Sequence, residues 1–321
     1  MSGRLHLDDL ERARERIRPH LSPTPLRPSL TVPGTNLHLK LECWQPTGSF
    51  KVRGATSLLA ALEPGERERG IVAASAGNHA LGVAFAARRV GGDLLATLFV
   101  PRTAPRSKVD KLRLYPVDVR EIGDTYDDAA AAAEAFRRET GATFVHAFED
   151  PRTAAGQGTT GLEIAEECPR VGAVLVPVGG GGLIAGVAVA LRALVPEARV
   201  IAVQPEASPA LRESLRLGRA LLTYPAGPTL ADGLAGGIGA IAFEHRDLID
   251  EVVTVGEDEI EDAIVALLAA DQVVAEASGA VGVAAVRSGR VRPADERPVV
   301  AIVTGGNIDV GTLARLLAGR A

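Results

Sequence analysis

Gln45-Pro46-Thr47-Gly48-Ser49-Phe50-Lys51-Val52-Arg53-Gly54-Ala55 is the stretch on which the fold turns. Ahead of it, Leu37 to Glu42 alternates like a β-strand; behind it, Val52 to Leu62 reads as a helix. The stretch is a strand–loop–helix junction that sets Lys51 directly after an aromatic residue, at the first helical turn. A lysine there meets the positive end of the helix dipole, which lowers its proton affinity. A lysine made less basic in a closed site is a good amine nucleophile toward an aldehyde. Alone, such a lysine reads better as a loop residue pointing to water. Three further segments reverse that reading.

The second segment is Val176-Pro177-Val178-Gly179-Gly180-Gly181-Gly182-Leu183-Ile184-Ala185-Gly186. Ala173 to Val178 is a short apolar, β-branched run, the mark of a buried strand, and Leu183 to Leu194 continues as an apolar helix. Four glycines between them let the backbone approach a ligand and aim several N–H groups at one point. With a helix N-terminus behind, this is an anion cradle suited to a phosphate. Four glycines are entropically costly for a mere turn. No Lys-Ser or Lys-Thr pair follows, which argues against a nucleotide-triphosphate loop. Gly180, Gly182 and Ala185 also satisfy a dinucleotide pattern. That reading, a nicotinamide-dependent oxidoreductase, wants an acid at the end of the next strand. Val200 to Val203 instead ends at Gln204, with Glu206 just beyond, and Lys51 is left without a role.

The third segment, Ala74-Ser75-Ala76-Gly77-Asn78-His79-Ala80, follows the strand Ile71 to Ala74 and opens a helix. Small residues with a Ser and an Asn at a helix start can bind a carboxylate through N–H groups and a hydroxyl, or simply cap the helix. The fourth, Val303-Thr304-Gly305-Gly306-Asn307, ends the strand Val299 to Val303 and offers a hydroxyl that could meet a ring nitrogen, or only a strand-to-helix turn.

Strands are expected near Ile71, over Leu95 to Val100, Val117 to Ile122 and Phe144 to His146, and near Val174, Val200 and Val299. Helices are expected over Asn78 to Arg89, Pro105 to Leu114, Thr125 to Thr140, Thr159 to Glu167, Ser208 to Leu217, Glu257 to Ala270 and Gly279 to Arg287. Such alternation implies an α/β protein of open parallel sheets covered on both faces, with ligands at the strand C-terminal ends. The charged run Glu11 to Arg18 reads as a solvated helix face, and the prolines from Pro19 to Pro33 as an extended entry segment.

With 321 residues, 46% of them hydrophobic, the chain can bury one large or two medium cores. A formal charge of -5 argues against nucleic acid or an acidic membrane as partner. Aromatics at 3% leave no stacking platform for single strands. Cys43 and Cys168 fit a reducing cytoplasm and structural roles. No run approaches membrane-spanning length, and the polar N-terminus is not a signal peptide. The six histidines lack ligand spacing, so no metal centre is expected from them.

An amine for an aldehyde, a cradle for a phosphate, a carboxylate pocket and a hydroxyl for a ring nitrogen are what pyridoxal 5'-phosphate holding an amino acid requires. At this point the chain resembles the fold-type II pyridoxal-phosphate enzymes of the serine/threonine dehydratase group, which includes serine racemase. The resemblance runs from Thr24-Pro25-Leu26 to Gly305-Gly306-Asn307-Ile308-Asp309 and rests on Gly48 to Ala55, Ser75 to His79, Gly156-Gln157-Gly158-Thr159 and the tetraglycine. It implies a tryptophan synthase β-like fold of two three-layer lobes. Residues 1–68 and 147–321 would form a large cofactor-binding domain, and 69–146 a small mobile one. It implies further that Lys51 carries the cofactor as an imine and Phe50 packs on the ring. Asn78 would meet the phenolic oxygen, Gly179, Gly180, Gly181, Gly182 and Leu183 the phosphate, and Thr304 the ring nitrogen. The substrate carboxylate would lie against Ser75, Ala76, Gly77, Asn78 and His79. Ser49, Glu276 and Gly233 are further candidates, the last in the glycine-rich loop Ala231 to Gly237, and Tyr126 could contact substrate. A homodimer is implied as well.

Departures from the family pattern narrow the activity. Serine racemases carry a second serine after Ser75 as the acid/base on the ring face opposite the lysine; here it is Ala76, which favours elimination over racemisation. Thr304 stands for the usual serine and keeps the hydroxyl, while Leu81 replaces a frequent glutamine. Gln204 and Ala210 stand where some relatives hold a divalent metal with acidic groups. Val52 and His79 argue against the cysteine and threonine synthases. The implied reaction is dehydration and deamination of a 3-hydroxy amino acid, threonine or serine, to 2-oxobutanoate or pyruvate and ammonia. A serine racemase, or an eliminase for phenylserine or 3-hydroxyaspartate, is the alternative. The chain ends soon after Asp309, so no effector-binding domain is expected.

Overall fold

The computed structural model describes residues 4–319 apart from 93, 105 and 294. Its strands are β1 (Leu26–Pro28), β2 (Leu37–Lys40), β3 (Ile71–Ala74), β4 (Ala96–Val100), β5 (Asp118–Glu121), β6 (Thr143–Phe144), β7 (Ala173–Pro177), β8 (Arg199–Pro205), β9 (Glu251–Val255) and β10 (Val299–Ile302). Six form one sheet in the order β1-β2-β10-β7-β8-β9, and four form another in the order β5-β4-β3-β6.

Each sheet is sandwiched by helices, and side-chain alternation shows why. Successive residues of a strand point to opposite faces. In the larger sheet Leu175, Ile201, Val203 and Ala301 join one core, closed by the helices Glu257–Asp271 and Ala277–Arg287. Val174, Val176, Val200, Ala202, Val300 and Ile302 join a second core, closed by the helix Gly182–Leu194. The smaller sheet divides likewise. Ile71, Ala73 and Leu98 pack with the helix Asn78–Val90, and Val72, Ala74 and Phe99 with Ala129 and Ala133 of the helix Tyr126–Thr140. Parallel strands buried on both faces need continuous apolar sequence, which β7 and β10 supply. The chain is therefore an α/β protein of two three-layer units.

The larger sheet is mixed, because β1 runs antiparallel to β2. Pro28, with no N–H to donate, suits that edge position. β9 and the helix Val310–Ala318 are additions to the predicted elements. The helix expected from Thr159 begins at Pro151, where the Asp150 carboxylate accepts from Arg152 N–H at 2.8 Å. An Asp cap followed by Pro is a strong helix start, and it outweighs the glycines that follow. The strand expected to Glu42 stops at Lys40, and Glu42–Trp44 is a single 3₁₀ turn. Pro105, the expected start of a helix, lies outside the described residues; the helix is seen over Arg106–Leu112.

The helix Lys51–Ala60 lies between the two units. A Cβ added at Gly82, on the helix from the smaller sheet, would sit 3.0 Å from the Lys51 carbonyl carbon and oxygen. That close approach ties the lysine motif to the Ser75–Asn78 motif.

Candidate active site

The lysine loop is zipped to the end of β10. Phe50 N–H donates to Thr304 O at 3.0 Å, Gly306 N–H to Gly48 O at 2.9 Å, and Ser49 bridges Gly305. Among the described residues Lys51 Nζ has one hydrogen-bond partner, Ala147 O at 3.5 Å, the outer limit of a hydrogen bond, and it lies 5.1 Å from the Phe50 ring centre. Burial pulls the Lys51 pKa down to about 8, against the Glu276 charge, which raises it. The lowering that the helix position alone suggests has desolvation as its first cause here.

The glycine loop stands on the next wall. Val178 N–H is used by Val203 O, and Ala185 N–H by Gly181 O. Between them, among the described residues, the amides from Gly179 to Ile184 meet no backbone acceptor outside the helix, as expected where a helix starts. Gly181 caps that helix at φ 88°, a conformation glycine adopts without strain. A Cβ on Gly180 would lie 2.3 Å from the Phe148 ring. Phe148 follows Ala147, whose carbonyl meets Lys51 Nζ, so the amine and the cradle share one stretch of chain. A cradle that a Cβ would fill, beside an amine of lowered basicity, fits a phosphorylated aldehyde.

The third motif opens between the two sheets. Gly77 N–H donates to Ser75 Oγ at 3.1 Å, and a Cβ on Gly77 would meet nothing within 4 Å. Ala76 packs on the core of the smaller sheet. Asn78 Nδ2 donates to Glu276 Oε1 at 2.6 Å, and its Oδ1 accepts from Asn307 Nδ2 at 2.8 Å. The His79 ring is buried and pairs Nε2 with Val145 O at 2.7 Å. Burial, then the Lys51 charge, press its pKa down to about 3, so it is neutral and donates through Nε2. Its side chain faces inward, which leaves its main chain for a ligand.

Around the mouth, Gly233 N–H donates to Ser278 Oγ at 3.1 Å, and Thr304 Oγ1 donates to Ser278 O at 3.3 Å. Ser49 Oγ and Thr47 Oγ1 are buried without a partner among the described residues. Burial, then the Asp232 charge, raise the Glu276 pKa to about 7. Lys108 Nζ of the smaller unit lies 3.5 Å from Asp232 of the larger, across the cleft. Tyr126 is exposed.

Asn307 and Lys108 carry no role of their own from sequence, although Asn307 closes one of the quoted motifs, and Asp232 enters only as part of the loop Ala231 to Gly237. Gln204 spends its amide internally: Nε2 donates to Val178 O at 3.2 Å, and Oε1 accepts from Leu211 N–H at 3.0 Å and Arg212 N–H at 3.2 Å.

Residues 17–305 match the family described as pyridoxal-phosphate dependent enzyme. The chain belongs to that family, and pyridoxal phosphate is its cofactor. Within it, the chain is 49% identical over 288 residues to an L-threonine ammonia-lyase of Thermotoga maritima, covering 89% of this chain and 71% of that one. The solved structure of maize serine racemase matches with a TM-score of 0.90 at 34% identity, covering 98% of this chain and 97% of that one. A solved threonine deaminase from T.th. matches with a TM-score of 0.87 at 39% identity, covering 95% of this chain and 99% of that one. No helix of the described residues is long and apolar enough to cross a membrane.

Proposed function

We propose that this protein eliminates water from a 3-hydroxy amino acid, L-threonine or L-serine, and that water then hydrolyses the enamine so formed, giving 2-oxobutanoate or pyruvate and ammonia. The observation that carries the reading is Lys51: a buried amine of lowered basicity that meets Ala147 O, next to the Phe148 that packs on the amide cradle, on a helix packed against the one that the Ser75–Asn78 motif opens.

Pyridoxal phosphate supplies an aldehyde for amines and a ring that withdraws electrons from the substrate Cα. Lys51 would hold the aldehyde carbon, the amides of Gly179 to Leu183 the phosphate, and Phe50 the ring face. Asn78 would meet the phenolic oxygen and Thr304 the ring nitrogen. The substrate carboxylate would lie against Ser75 to His79 at a helix N-terminus, taking the Ser75 hydroxyl and the N–H groups of Ala76, Asn78 and His79, since Ser75 N–H is spent on Phe99 O and Gly77 N–H on Ser75 Oγ. Lys51, once released, is placed to take the Cα proton, and its lowered pKa suits that task near neutral pH. Glu276 can hold or release a proton over the same range. Ala76 has no proton to give from the opposite face, which favours elimination over racemisation.

Residues 1–68 and 147–321 then act as the cofactor-binding domain, and 69–146 as a smaller domain that closes on substrate. Leu30, Trp44, Val274 and Val310 of the larger unit are exposed and would supply apolar surface for a homodimer. Two free, buried cysteines suit the cytoplasm.

A screen of L- and D-serine, L-threonine, phenylserine and 3-hydroxyaspartate for 2-oxo acid release tests the reading. L-threonine or L-serine should turn over, with D-serine formed slowly or not at all. Lys51→Ala should remove both the visible absorption of the bound cofactor and turnover. Turnover retained by that variant defeats the proposal.

A further inference from the structure

Four groups form a hydrogen-bonded line across the cleft floor, and each link has a direction. Thr47 O is a main-chain carbonyl and can only accept. It takes one hydrogen of Asn307 Nδ2 at 2.8 Å, and the same nitrogen gives its other hydrogen to Asn78 Oδ1 at 2.8 Å. With its oxygen so committed, the Asn78 amide must present NH2 on the other side. One of those hydrogens goes to Glu276 Oε1 at 2.6 Å, and the second has no partner among the described residues.

Glu276 alone could not impose that orientation. Its pKa stands at about 7, and a protonated carboxyl offers a donor as well as an acceptor, so it can pair with either end of an amide. Thr47 O has no such choice, and Asn307 transmits its polarity. The line also needs space. A Cβ at Gly48, whose φ is 74°, would stand 2.8 Å from Asn307 Oδ1, and one at Gly305 would stand 2.3 Å from Glu276 Oε1. Two glycines from separate motifs thus make room for one relay.

We infer that Asn307 is a positioning residue: read against the Thr47 carbonyl, it locks the Asn78 amide with its free N–H toward the cofactor's phenolic oxygen. The inference rests on the reading above that Asn78 faces that oxygen.

Asn307→Asp and Asn307→Ala separate orientation from mere packing. Ionised aspartate keeps the shape but only accepts, so it draws the Asn78 NH2 to itself and turns the amide oxygen toward the cofactor. Alanine leaves Asn78 free to choose. Cofactor affinity, measured by titrating the apoenzyme, should fall about tenfold in the aspartate variant and clearly less in the alanine variant. The pH midpoint of the bound cofactor's visible band should move in the aspartate variant alone. An aspartate variant that binds as well as the alanine variant, with the band unchanged, overturns the inference. Should the aspartate variant not fold, the neutral pair Asn307→Thr and Asn307→Val puts the same question. Threonine, which keeps a donor, should bind the cofactor more tightly; equal affinities overturn the inference. Lys51→Ala keeps the two readings apart. If it retains the visible band, the assignment of the site fails. If it loses the band while the Asn307 variants behave alike, only the relay fails.

Discussion

Lys51 and Arg53 stand on the first turn of one helix, yet their surroundings differ in kind. Arg53 is fully buried and fully paired. Its Nε and Nη2 each donate to Glu42 at 2.7 Å; Nη1 donates to Glu163 at 2.6 Å and Nη2 to Glu163 at 2.7 Å; Nη1 also reaches Thr159 Oγ1 at 3.1 Å. Lys40, from β2, adds its ammonium 2.8 Å from Glu163 and 2.6 Å from Glu167. Burial works to discharge Arg53, and Glu42 then Glu163 outweigh it, holding the guanidinium above its ordinary range. Lys51 has one long contact and loses basicity to the same burial. A charge closed on all sides fixes structure. A charge left with open valences is available for chemistry.

The sharpest way to break this contrast is to remove each side chain in turn. Arg53→Met leaves the Glu42 and Glu163 carboxylates buried without their shared cation. Stripping one partner from a buried ion pair costs about 3–5 kcal/mol, so urea unfolding of the apoenzyme should show a loss of that order. Lys51→Met should cost the apoenzyme less than about 1 kcal/mol, since a partly discharged amine with one weak contact gives way to a thioether of similar length. Comparable losses at the two positions would erase the distinction.

The cradle is the next place to press. Alanine at Gly180 drives a methyl to 2.3 Å from the Phe148 ring, which must shift together with the segment that carries Ala147. Overpacking of this kind costs about 1–3 kcal/mol, felt here as cofactor affinity lowered about tenfold or more. Alanine at Gly77, where nothing lies within 4 Å, should change cofactor affinity little. Titration of both apoenzymes with pyridoxal phosphate compares them directly. Equal effects would mean that close packing is not what shapes the cradle.

The parts legible in the sequence are those whose chemistry is local. The lysine junction, the tetraglycine, Ser75 to Asn78 and Thr304 each announce themselves within a few residues, at strand ends where an α/β sheet binds ligands. The buried charge network is illegible, because Lys40, Glu42, Arg53, Glu163 and Glu167 come from separate elements and meet only on folding. β1 escapes for the same reason: its pairing with β2 is a tertiary fact, and Pro28 reads as a break. Asn307 was in view as a residue and hidden as a relay, since its partners Thr47 and Asn78 lie on other motifs. The inward turn of the His79 ring to Val145 is likewise a tertiary fact, and it follows because Asn78 and His79, adjacent on a helix, cannot share a face.

The last test concerns Glu276, the acid on the open side of the contrast. Burial, then the Asp232 charge, raise its pKa from 4.5 to about 7. In that window the folded apoenzyme keeps a proton that the unfolded chain has lost, so folding takes a proton up. Stability should therefore be full below pH 4.5, fall as pH rises toward 7, and level off above it. The drop has an upper bound of about 3.4 kcal/mol, at 1.36 kcal/mol per pKa unit over the span from 4.5 to about 7. Glu42 runs the other way. Burial opposes its ionisation, but Arg53 holds its pKa below 4.5, so its stabilisation is lost only as pH falls below that value. Glu276→Gln should flatten the neutral limb and leave the acid limb in place, and Asp232→Asn should move the neutral limb to lower pH. Urea midpoints measured across the window in the apoenzyme read both limbs. A wild-type profile already flat between pH 4.5 and 7 would mean that Glu276 is as well compensated as the acids around Arg53. The cleft would then be a second closed network rather than an open one.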